Sequence, residues 1–218
     1  MTFGRAIEIE NATRGQSQQS LWYTERQWRL TASRFGETCK SGPNRDMEKL
    51  CSSLFAYKDL CNAAICHGKT YESVAIDQFE KDYEVNVTPC GLFIHTQMPF
   101  LAASPDGCIY DGGARTLLEV KCPFNGREKI IEPGDNFQFL ERTTDGKIQL
   151  KRSHNYYYQI IGQLALARSK QCYFIVYTHK DFYVEKIPFD SDFFELQMFP
   201  KLQMFYEYHY KPYIANQM

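Results

Sequence analysis

The sequence has no long hydrophobic run and no excess of charge of either sign. No stretch approaches the roughly 18 apolar residues that suggest a membrane-spanning helix. Its 25 basic and 26 acidic residues give a formal net charge of -1. A strong overall attraction to nucleic acid is therefore not expected. Any nucleic-acid site must be a local basic patch or depend on bound cations.

Paired cysteine motifs are also missing. The eight cysteines include no Cys-x-x-Cys pair, which argues against a zinc ribbon or a thioredoxin-like site. Cys66 and His67 are adjacent, but no second pair matches them, so we interpret them as structural. The first residues, MTFGRAIEIENATRGQ, contain no apolar stretch of the signal-peptide type. We expect reduced thiols and an intracellular protein, nuclear or cytoplasmic; a secreted, disulfide-bonded protein is the alternative.

The sequence shows no internal repeat, no Ser-His-Asp order and no glycine loop that leads into a helix to bind phosphate. What it does contain is 218 residues with 44% hydrophobic and 15% aromatic side chains. That composition indicates one globular domain with a sizeable core. We expect residues 1–15 to form a loose leader and residues 16–218 a single domain.

The spacing of apolar residues indicates alternating helices and strands. Helical spacing covers residues 20–29, 47–58, 67–83, 156–169 and 191–210, the last with a kink at Pro200. Strand patterns cover residues 83–95, 101–110, 116–124, 171–178 and 182–189, and residues 125–152 resemble a mobile loop with short elements. The order predicts an α/β domain with a central mixed β-sheet flanked by helices.

The stretch SPDGCIYDGGARTLLEVKCP, residues 104–123, places charged side chains inside an apolar run. Glu119 and Lys121 are two residues apart on a predicted strand and so share one face. If SPDG ends the neighbouring strand, Asp106 lies beside Glu119. Two carboxylates and the backbone carbonyl of Val120 are ligands that suit Mg²⁺ or Mn²⁺. Lys121 could then orient or help deprotonate a metal-bound water, as in phosphodiester hydrolysis. The alternative is a surface strand with an ordinary Glu–Lys pair after a common turn.

Four stretches together resemble a known family. Twelve residues separate Asp106 from the EVK triplet, and this pattern resembles the PD-(D/E)xK nuclease signature. The accompanying stretches are QSQQSLWYTERQWRLTAS, GKTYE and YYYQIIGQL. In this order they resemble the YqaJ-like viral recombinases, a lambda-exonuclease-like family of alkaline exonucleases. The resemblance covers about residues 16–190 and implies a restriction-endonuclease-like core.

The resemblance also implies roles for individual residues. The catalytic set comprises Glu72, Asp106, Glu119, Lys121 and Gln159, with the metal held by Asp106, Glu119 and the Val120 carbonyl, and with Glu72 as a further acid that acts through water or a second ion. The 5′-phosphate pocket comprises Arg26 and Ser33, with Arg29, Thr31, Ser104 and Gln163 as further candidates. Apart from the resemblance, the sequence offers a wider basic patch that could follow the phosphate backbone, and the alternative is that most of its members simply face solvent: Lys40, Arg127, Lys129, Lys147, Lys151, Arg152 and His154. Tyr156, Tyr157 and Tyr158 could stack on bases or belong to the core.

These features lead to a specific functional expectation. The resemblance implies a Mg²⁺-dependent deoxyribonuclease that digests one strand of linear duplex DNA from a 5′-phosphorylated end, in the 5′→3′ direction, in recombination or repair. It also allows for a homo-oligomer, a trimeric ring in the phage relatives, and for a single-strand annealing protein as partner. The alternatives are an endonuclease or structure-specific nuclease of the same fold, a catalytically silent DNA-binding module, and an unrelated binding domain.

Overall fold

The computed structural model describes residues 1–56 and 62–217. The helices are α1 (Phe3–Ala12), α2 (Ser20–Gln27), α3 (Ala32–Cys39), α4 (Met47–Phe55), α5 (Ala63–Tyr83), α6 (Asn155–Ala167), α7 (Phe199–Phe205) and α8 (Lys211–Ala215). The strands are β1 (Leu30–Thr31), β2 (Phe93–Ile94), β3 (Leu101–Ala103), β4 (Gly107–Asp111), β5 (Ala114–Lys121), β6 (Leu140–Arg142), β7 (Ile148–Leu150), β8 (Gln171–Tyr177) and β9 (Phe182–Pro188). The predicted end of the helix over 47–58 lies outside the described residues.

A four-stranded mixed sheet in the order β4-β5-β8-β9 forms the centre of the fold. β5 pairs in parallel with β8, while β4 and β9 pair antiparallel at the two edges. A three-stranded sheet (β1-β3-β2) and the β6–β7 hairpin lie outside it. The predicted mixed α/β domain with a central sheet is therefore confirmed. The predicted strand–turn–strand over 83–95 is reduced to β2 and one isolated bridge between Thr88 and Cys108.

The β4–β5 hairpin is the element that carries most of the candidate site. Its register pairs Gly107 with Leu118 and Asp111 with Ala114. Gly112 and Gly113 form the turn with φ of 54° and 82°, a region in which side chains are disfavoured. Because side chains alternate along β5, Glu119 and Lys121 face the α6 side of the sheet together with Leu117, while Leu118 and Val120 face the α5 side.

Two helices cover the two faces of this sheet. On one face, α5 packs Ala75 and Phe79 against Leu118 and Val120 of β5. On the other face, α6 contributes buried apolar side chains to the main core, including Ile160 and Leu164. α6 also forms the connection between the parallel strands β5 and β8, as parallel pairing requires.

α3 lies unusually close to α6. A Cβ atom added to Gly162 on α6 would meet the ring of Phe35 at 2.4 Å, and one added to Gly36 on α3 would meet Asn155 at 2.6 Å. Side chains larger than hydrogen at these positions would force the helices apart. The two glycines therefore permit the close approach of α3 and α6.

The expectation of a loose leader over residues 1–15 differs from the structure. Residues 3–12 form α1, whose Ile9 is buried. Glu10 accepts a hydrogen bond from the Gly91 backbone N–H at 3.0 Å, and Thr13 Oγ1 accepts one from Leu92 at 2.8 Å. These polar contacts tie the N-terminal helix to the loop before β2, an anchoring that a hydrophobic pattern does not reveal.

Two further segments are more ordered than the sequence suggested. Residues 125–152 contain the β6–β7 hairpin and contribute Ile131, Phe137 and Leu140 to the core. The C-terminal segment is helical as predicted, but π-helical turns at Phe193–Met198 and Tyr206–Tyr210 precede α7 and α8. Each α segment has a proline in its first turn, where the missing N–H is tolerated. Among the described residues, no helix combines the length and apolar character needed to cross a membrane.

Candidate active site

Asp106 lies at the start of β4 and is tied to β5 by two hydrogen bonds. Its backbone N–H donates to the carbonyl oxygen of Leu118 at 3.1 Å. Its side-chain Oδ2 accepts from the backbone N–H of Val120 at 2.7 Å. The SPDG turn thus ends beside the EVK triplet, and the carboxylate crosses from one strand to the next. This is the arrangement expected if Asp106 and Glu119 share a site.

Glu119 is a buried carboxylate with three side-chain partners. Only 1% of the residue is exposed. Gln159 Nε2 donates to its Oε1 at 2.6 Å, and Gln163 Nε2 donates to its Oε2 at 2.6 Å. Lys121 forms an ion pair with Oε1. Burial of a carboxylate without such partners would be very unfavourable, and this network supplies them.

The two glutamines reach Glu119 because they are one turn apart on the same face of α6. α6 begins after His154, whose Nδ1 accepts a hydrogen bond from the Tyr156 N–H at 3.2 Å. Tyr156 in turn lies under the Lys121 ammonium group, with Nζ 4.8 Å from the ring centroid. One helix therefore supplies both amide donors for the carboxylate and an aromatic face for the lysine.

Glu72 on α5 completes an acidic group at this edge of the sheet. Burial raises the pKa of Glu72, and the negative charge of Glu119 raises it further against the opposing effect of Lys121. Burial raises the pKa of Asp106 well above its ordinary value, and Glu119 and Glu72 add to that increase. Mutual repulsion of the three carboxylates is thus only partly neutralised by one lysine.

Lys121 remains a cation in this environment. Burial alone would lower the pKa of its ammonium group, but the carboxylates of Glu119 and Asp106 together outweigh that effect and raise it. Its side chain is 19% exposed, so the group borders solvent at the edge of the sheet. A protonated lysine here can neutralise negative charge and donate hydrogen bonds.

The residues present fit a divalent cation in charge and in donor type. The excess negative charge of Glu72, Asp106 and Glu119 is the feature that a cation would relieve, and their oxygens are hard ligands. Within residues 1–56 and 62–217, no three side chains of His, Cys, Asp or Glu are grouped closely enough to hold a metal ion by themselves. A site on this edge would thus use two carboxylates together with backbone or water oxygens, as Mg²⁺ often does.

Arg26 lies at the centre of a second polar cluster, which includes Ser104, two residues before Asp106 in the chain. Its guanidinium is 3.5 Å from the Ser104 hydroxyl and 3.5 Å from Thr31 Oγ1. It also stacks on the Trp22 ring at 4.0 Å, and the Trp22 indole N–H donates to Ser104 Oγ at 2.9 Å. Ser33 Oγ is 3.4 Å from Thr31 Oγ1. Its contact with Ser104 therefore brings Arg26 close to the segment that carries Asp106.

Other predicted residues are placed less centrally. Arg29 is paired with Glu25 at 2.7 Å, although it lines the same pocket of about 540 Å³ as Arg26, Thr31 and Ser33. Four residues of the predicted basic patch each contact a separate local partner. The pairs are Lys40 with the Ser153 carbonyl, Lys147 with Asp145, Lys151 with the Gln138 carbonyl, and Arg152 with Asp190. Tyr157 and Tyr158 pack on Phe193, so only Tyr156 borders the site.

The structure also reveals residues near the site that the sequence pattern did not single out. Tyr71 precedes Glu72 on α5, and its ring lies 5.9 Å from that of Tyr177 and 4.6 Å from that of His179. Tyr177 is the last residue of β8 and His179 follows the strand, about a hundred residues further along the chain. No local spacing in the sequence could have linked them to Glu72, because the pairing of β5 with β8 brings them together.

The fold is that of the alkaline exonucleases of the PD-(D/E)xK type. An alkaline exonuclease from Laribacter hongkongensis matches with a TM-score of 0.68 and 20% identity, covering 91% of this chain and 96% of that one. The shutoff and exonuclease protein from Kaposi's sarcoma-associated herpesvirus matches with a TM-score of 0.64 and 12% identity, covering 96% of this chain and 73% of that one.

The sequence itself gives the family. Residues 21–170 match the YqaJ-like viral recombinase domain, and the chain belongs to that family. It is also 25% identical over 209 residues to an alkaline nuclease of Orgyia pseudotsugata multicapsid polyhedrosis virus, which covers 86% of this chain and 47% of the relative. The chain thus spans about half the length of the curated relatives it matches.

Proposed function

We propose that this protein is a Mg²⁺-dependent deoxyribonuclease. It digests one strand of linear duplex DNA from a 5′-phosphorylated end in the 5′→3′ direction, in recombination or repair. The observation that supports this most directly is the environment of Glu119. A buried carboxylate is held by Lys121 and two glutamine amides beside Asp106, at an edge of the sheet that also carries Glu72. The alkaline nuclease relatives are consistent with this activity.

In this proposal Asp106, Glu119 and the Val120 carbonyl hold Mg²⁺, with Mn²⁺ as a substitute and Glu72 acting through water or a second ion. When bound, the ion would polarise a phosphate oxygen and lower the pKa of a coordinated water. Lys121, which stays protonated, neutralises negative charge that develops on the phosphate. It therefore acts as an electrostatic group and a hydrogen-bond donor rather than as a base.

The two glutamines have a positioning role in the same proposal. Gln159 and Gln163 each donate to a different oxygen of Glu119, so the plane of the carboxylate is fixed by α6. A fixed plane directs the remaining lone pairs of Glu119 toward one region of space. Groups that orient ligand side chains in this way commonly affect activity about 10- to 100-fold.

The cluster around Arg26 supports recognition of a terminal 5′-phosphate. A guanidinium offers a planar set of donors that matches phosphate oxygens, and Ser33, Ser104 and Thr31 add hydroxyl groups. Stacking on Trp22 holds the guanidinium in place. Because Ser104 precedes Asp106 by two residues, a phosphate bound by Arg26 would lie near the carboxylates. This proximity supports cleavage close to a DNA end.

The deciding experiment is digestion of linear duplex DNA by purified protein in Mg²⁺ and in EDTA. Substrates carry a 5′-phosphate or a 5′-hydroxyl, and a covalently closed circle is included. Lys121→Ala and Asp106→Asn are compared with wild type, and Asp111→Asn is the matched control because Asp111 is exposed on the same hairpin. We expect Mg²⁺-dependent loss of the phosphorylated linear strand by wild type and by the control, and none by the other two variants.

Two other results would contradict the proposal in different ways. Cutting of the closed circle would retain the active site but assign an endonuclease. DNA binding by wild type without cutting in any metal would assign a binding module. The proposal also includes a homo-oligomer and a single-strand annealing protein as partner. The oligomer can be tested separately. Light scattering should give three times the chain mass of 25.5 kDa if the protein forms the trimeric ring of its phage relatives.

A further inference from the structure

Five aromatic rings form a compact group on the α5 side of the sheet. This aromatic cluster consists of His67, Tyr71, Phe124, Tyr177 and His179. The ring of Tyr71 is 4.5 Å from that of His67 and 4.6 Å from that of His179, and it stacks on Tyr177 at 5.9 Å with an interplanar angle of 19°. His67 also contacts Phe124 at 5.6 Å and His179 at 5.6 Å. The rings come from three separate parts of the chain.

The aromatic cluster is not a closed piece of hydrophobic core. Tyr71, Phe124 and Tyr177 are all partly exposed, and the side chain of His179 is 28% exposed. Within it, His67 is only 9% exposed, and its Nε2 atom has no hydrogen-bond partner among the described residues. Leaving a buried polar atom without a partner is unfavourable. A ligand with a hydrogen-bonding edge would remove that cost.

The position of the aromatic cluster connects it with the candidate active site. Tyr71 immediately precedes Glu72 on α5. Lys121 is paired with Val176 in the sheet, so the residue after Val176, Tyr177, lies at the same edge as the residue after Lys121. Phe124 follows three residues after Lys121. The cluster therefore lies at the same end of the sheet as the carboxylates, on the α5 side, while Tyr156 borders Lys121 on the α6 side.

Positive charge accompanies the rings. The Arg127 guanidinium stacks on Phe124 at 4.1 Å and donates to the Phe124 carbonyl at 2.7 Å. The Arg127 carbonyl accepts from the His179 backbone N–H at 2.7 Å, which joins the loop after β5 to the loop after β8. Glu128 is the acidic neighbour, hydrogen-bonded to His179 Nδ1 at 2.7 Å. Partly exposed rings beside an arginine are the combination that binds single-stranded nucleic acid by stacking and charge.

We propose that the aromatic cluster binds an unpaired nucleobase of single-stranded DNA next to the phosphate at the candidate active site. This inference rests on the proposed function, because it assumes that the neighbouring carboxylates act on DNA. Tyr71 and His179 supply ring faces for the base, and His67 supplies a ring nitrogen for its edge. Because every base has a stacking face, the site should accept all four bases with little preference.

The competing explanation is that these rings only pack against one another. Combining substitutions in the protein with removal of single bases from the DNA distinguishes packing from base binding. Affinity is measured by fluorescence anisotropy in EDTA for single-stranded oligonucleotides of about twelve nucleotides. One oligonucleotide is intact. Each of the others lacks the base of a single nucleotide, and the series covers every position. The proteins are wild type, Tyr71→Leu and Tyr83→Leu. Tyr83 is the control because it is on the same helix and stacks on Phe79 at 4.4 Å.

We expect Tyr71→Leu to weaken binding of the intact oligonucleotide about 5- to 100-fold, the range for loss of one stacked base. Removal of the base at one position should weaken wild type and Tyr83→Leu by a similar factor and should not weaken Tyr71→Leu further. His179→Ala provides the same test if Tyr71→Leu fails to fold. Equal weakening of intact and base-free oligonucleotides by these variants, or no weakening, would overturn the inference.

The measurement also separates this inference from the proposed function. Because binding is measured in EDTA, it does not depend on cutting. Base-dependent binding through Tyr71 in a protein that never cuts DNA would overturn the proposed function and support a nucleobase site. Metal-dependent cutting by a protein whose binding ignores the base at every position would overturn the nucleobase site alone.

Discussion

Gln163 donates a hydrogen bond to Oε2 of Glu119 at 2.6 Å, and each residue is only 1% exposed. An amide–carboxylate contact of this kind, sealed from water, orients the carboxylate more firmly than a solvated contact can. Gln159 provides the same kind of bond to the other oxygen at the solvent-facing end. The geometry of Glu119 is therefore set by α6 as much as by its own strand.

Replacement of Gln163 by leucine should lower activity by more than any loss of fold stability accounts for. We expect Gln163→Leu to reduce activity or metal affinity about 10- to 100-fold, because Glu119 loses one of its two amide donors. Gln171→Leu is the matched control, since Gln171 donates to the neutral Thr116 hydroxyl at 3.0 Å. Turnover and the Mg²⁺ concentration for half-maximal activity are measured. Equal effects of the two substitutions would contradict the positioning role.

Asp106→Asn should stabilise the metal-free protein more at pH 8 than at pH 5. A raised pKa means that folded Asp106 binds its proton more tightly than the unfolded chain does. Its contribution to stability therefore falls as the pH rises above the unfolded pKa of about 4. Asparagine carries no charge and keeps an acceptor for the Val120 N–H. We expect a higher Tm for Asp106→Asn than for wild type at pH 8 and a smaller difference at pH 5.

The control for this measurement is Asp111→Asn, which changes an exposed acid on the same hairpin. Tm is recorded for each protein at both pH values in EDTA and again with Mg²⁺. Mg²⁺ should raise the Tm of wild type at pH 8 and leave that of Asp106→Asn unchanged, because a bound cation relieves the same repulsion. A gain for Asp106→Asn that is the same at both pH values would contradict the charge explanation.

Arg26→Gln should remove the preference for a phosphorylated end. We expect the ratio of digestion rates for 5′-phosphate and 5′-hydroxyl substrates to fall about 10-fold or more, because hydrogen bonds to charged groups contribute about 1.5–3 kcal/mol. Arg45→Gln is the control, since Arg45 is an exposed arginine paired with Glu37 at 2.6 Å. If the ratio is unchanged while both rates fall together, Arg26 has a different role.

Gly162→Ala tests the close packing of α3 against α6. The added methyl group would meet the Phe35 ring at 2.4 Å, and overpacking of this kind typically costs about 1–3 kcal/mol. We expect lower stability together with lower activity, because displacement of α6 moves Gln159 and Gln163. Gly68→Ala on α5 is the control: no atom lies within 4 Å of its added Cβ, and alanine is the better helix former. Chemical denaturation and DNA digestion provide the two measurements.

The sequence predicted the parts of the site that depend on short-range geometry. Asp106, Glu119 and Lys121 are close along one hairpin, and alternation along a strand places the last two on one face. It also placed Gln159 and Gln163 on a common face of one helix. That both would donate to Glu119 depends on the packing of α6 on the sheet, which spacing along the helix does not reveal.

The parts that the sequence did not predict depend on long-range pairing or on polar anchoring. α1 lies where a loose leader is expected, yet Glu10 and Thr13 fasten it to the backbone N–H groups of Gly91 and Leu92. Tyr177 and His179 meet Tyr71 because β8 pairs with β5. The ion pair of Arg29 with Glu25 likewise could not be read from the spacing of basic residues along the helix.

The Gly112–Gly113 turn offers a practical position for a reporter. β5 runs from the turn at Ala114 to Lys121, so at about 3.3 Å per residue the turn is roughly 20 Å from the carboxylates. The turn is exposed, and no atom lies within 4 Å of a Cβ added at either glycine. A short peptide tag inserted there would remain outside the catalytic edge while sharing its rigid hairpin, which suits the protein to surface immobilisation for single-molecule measurements on DNA.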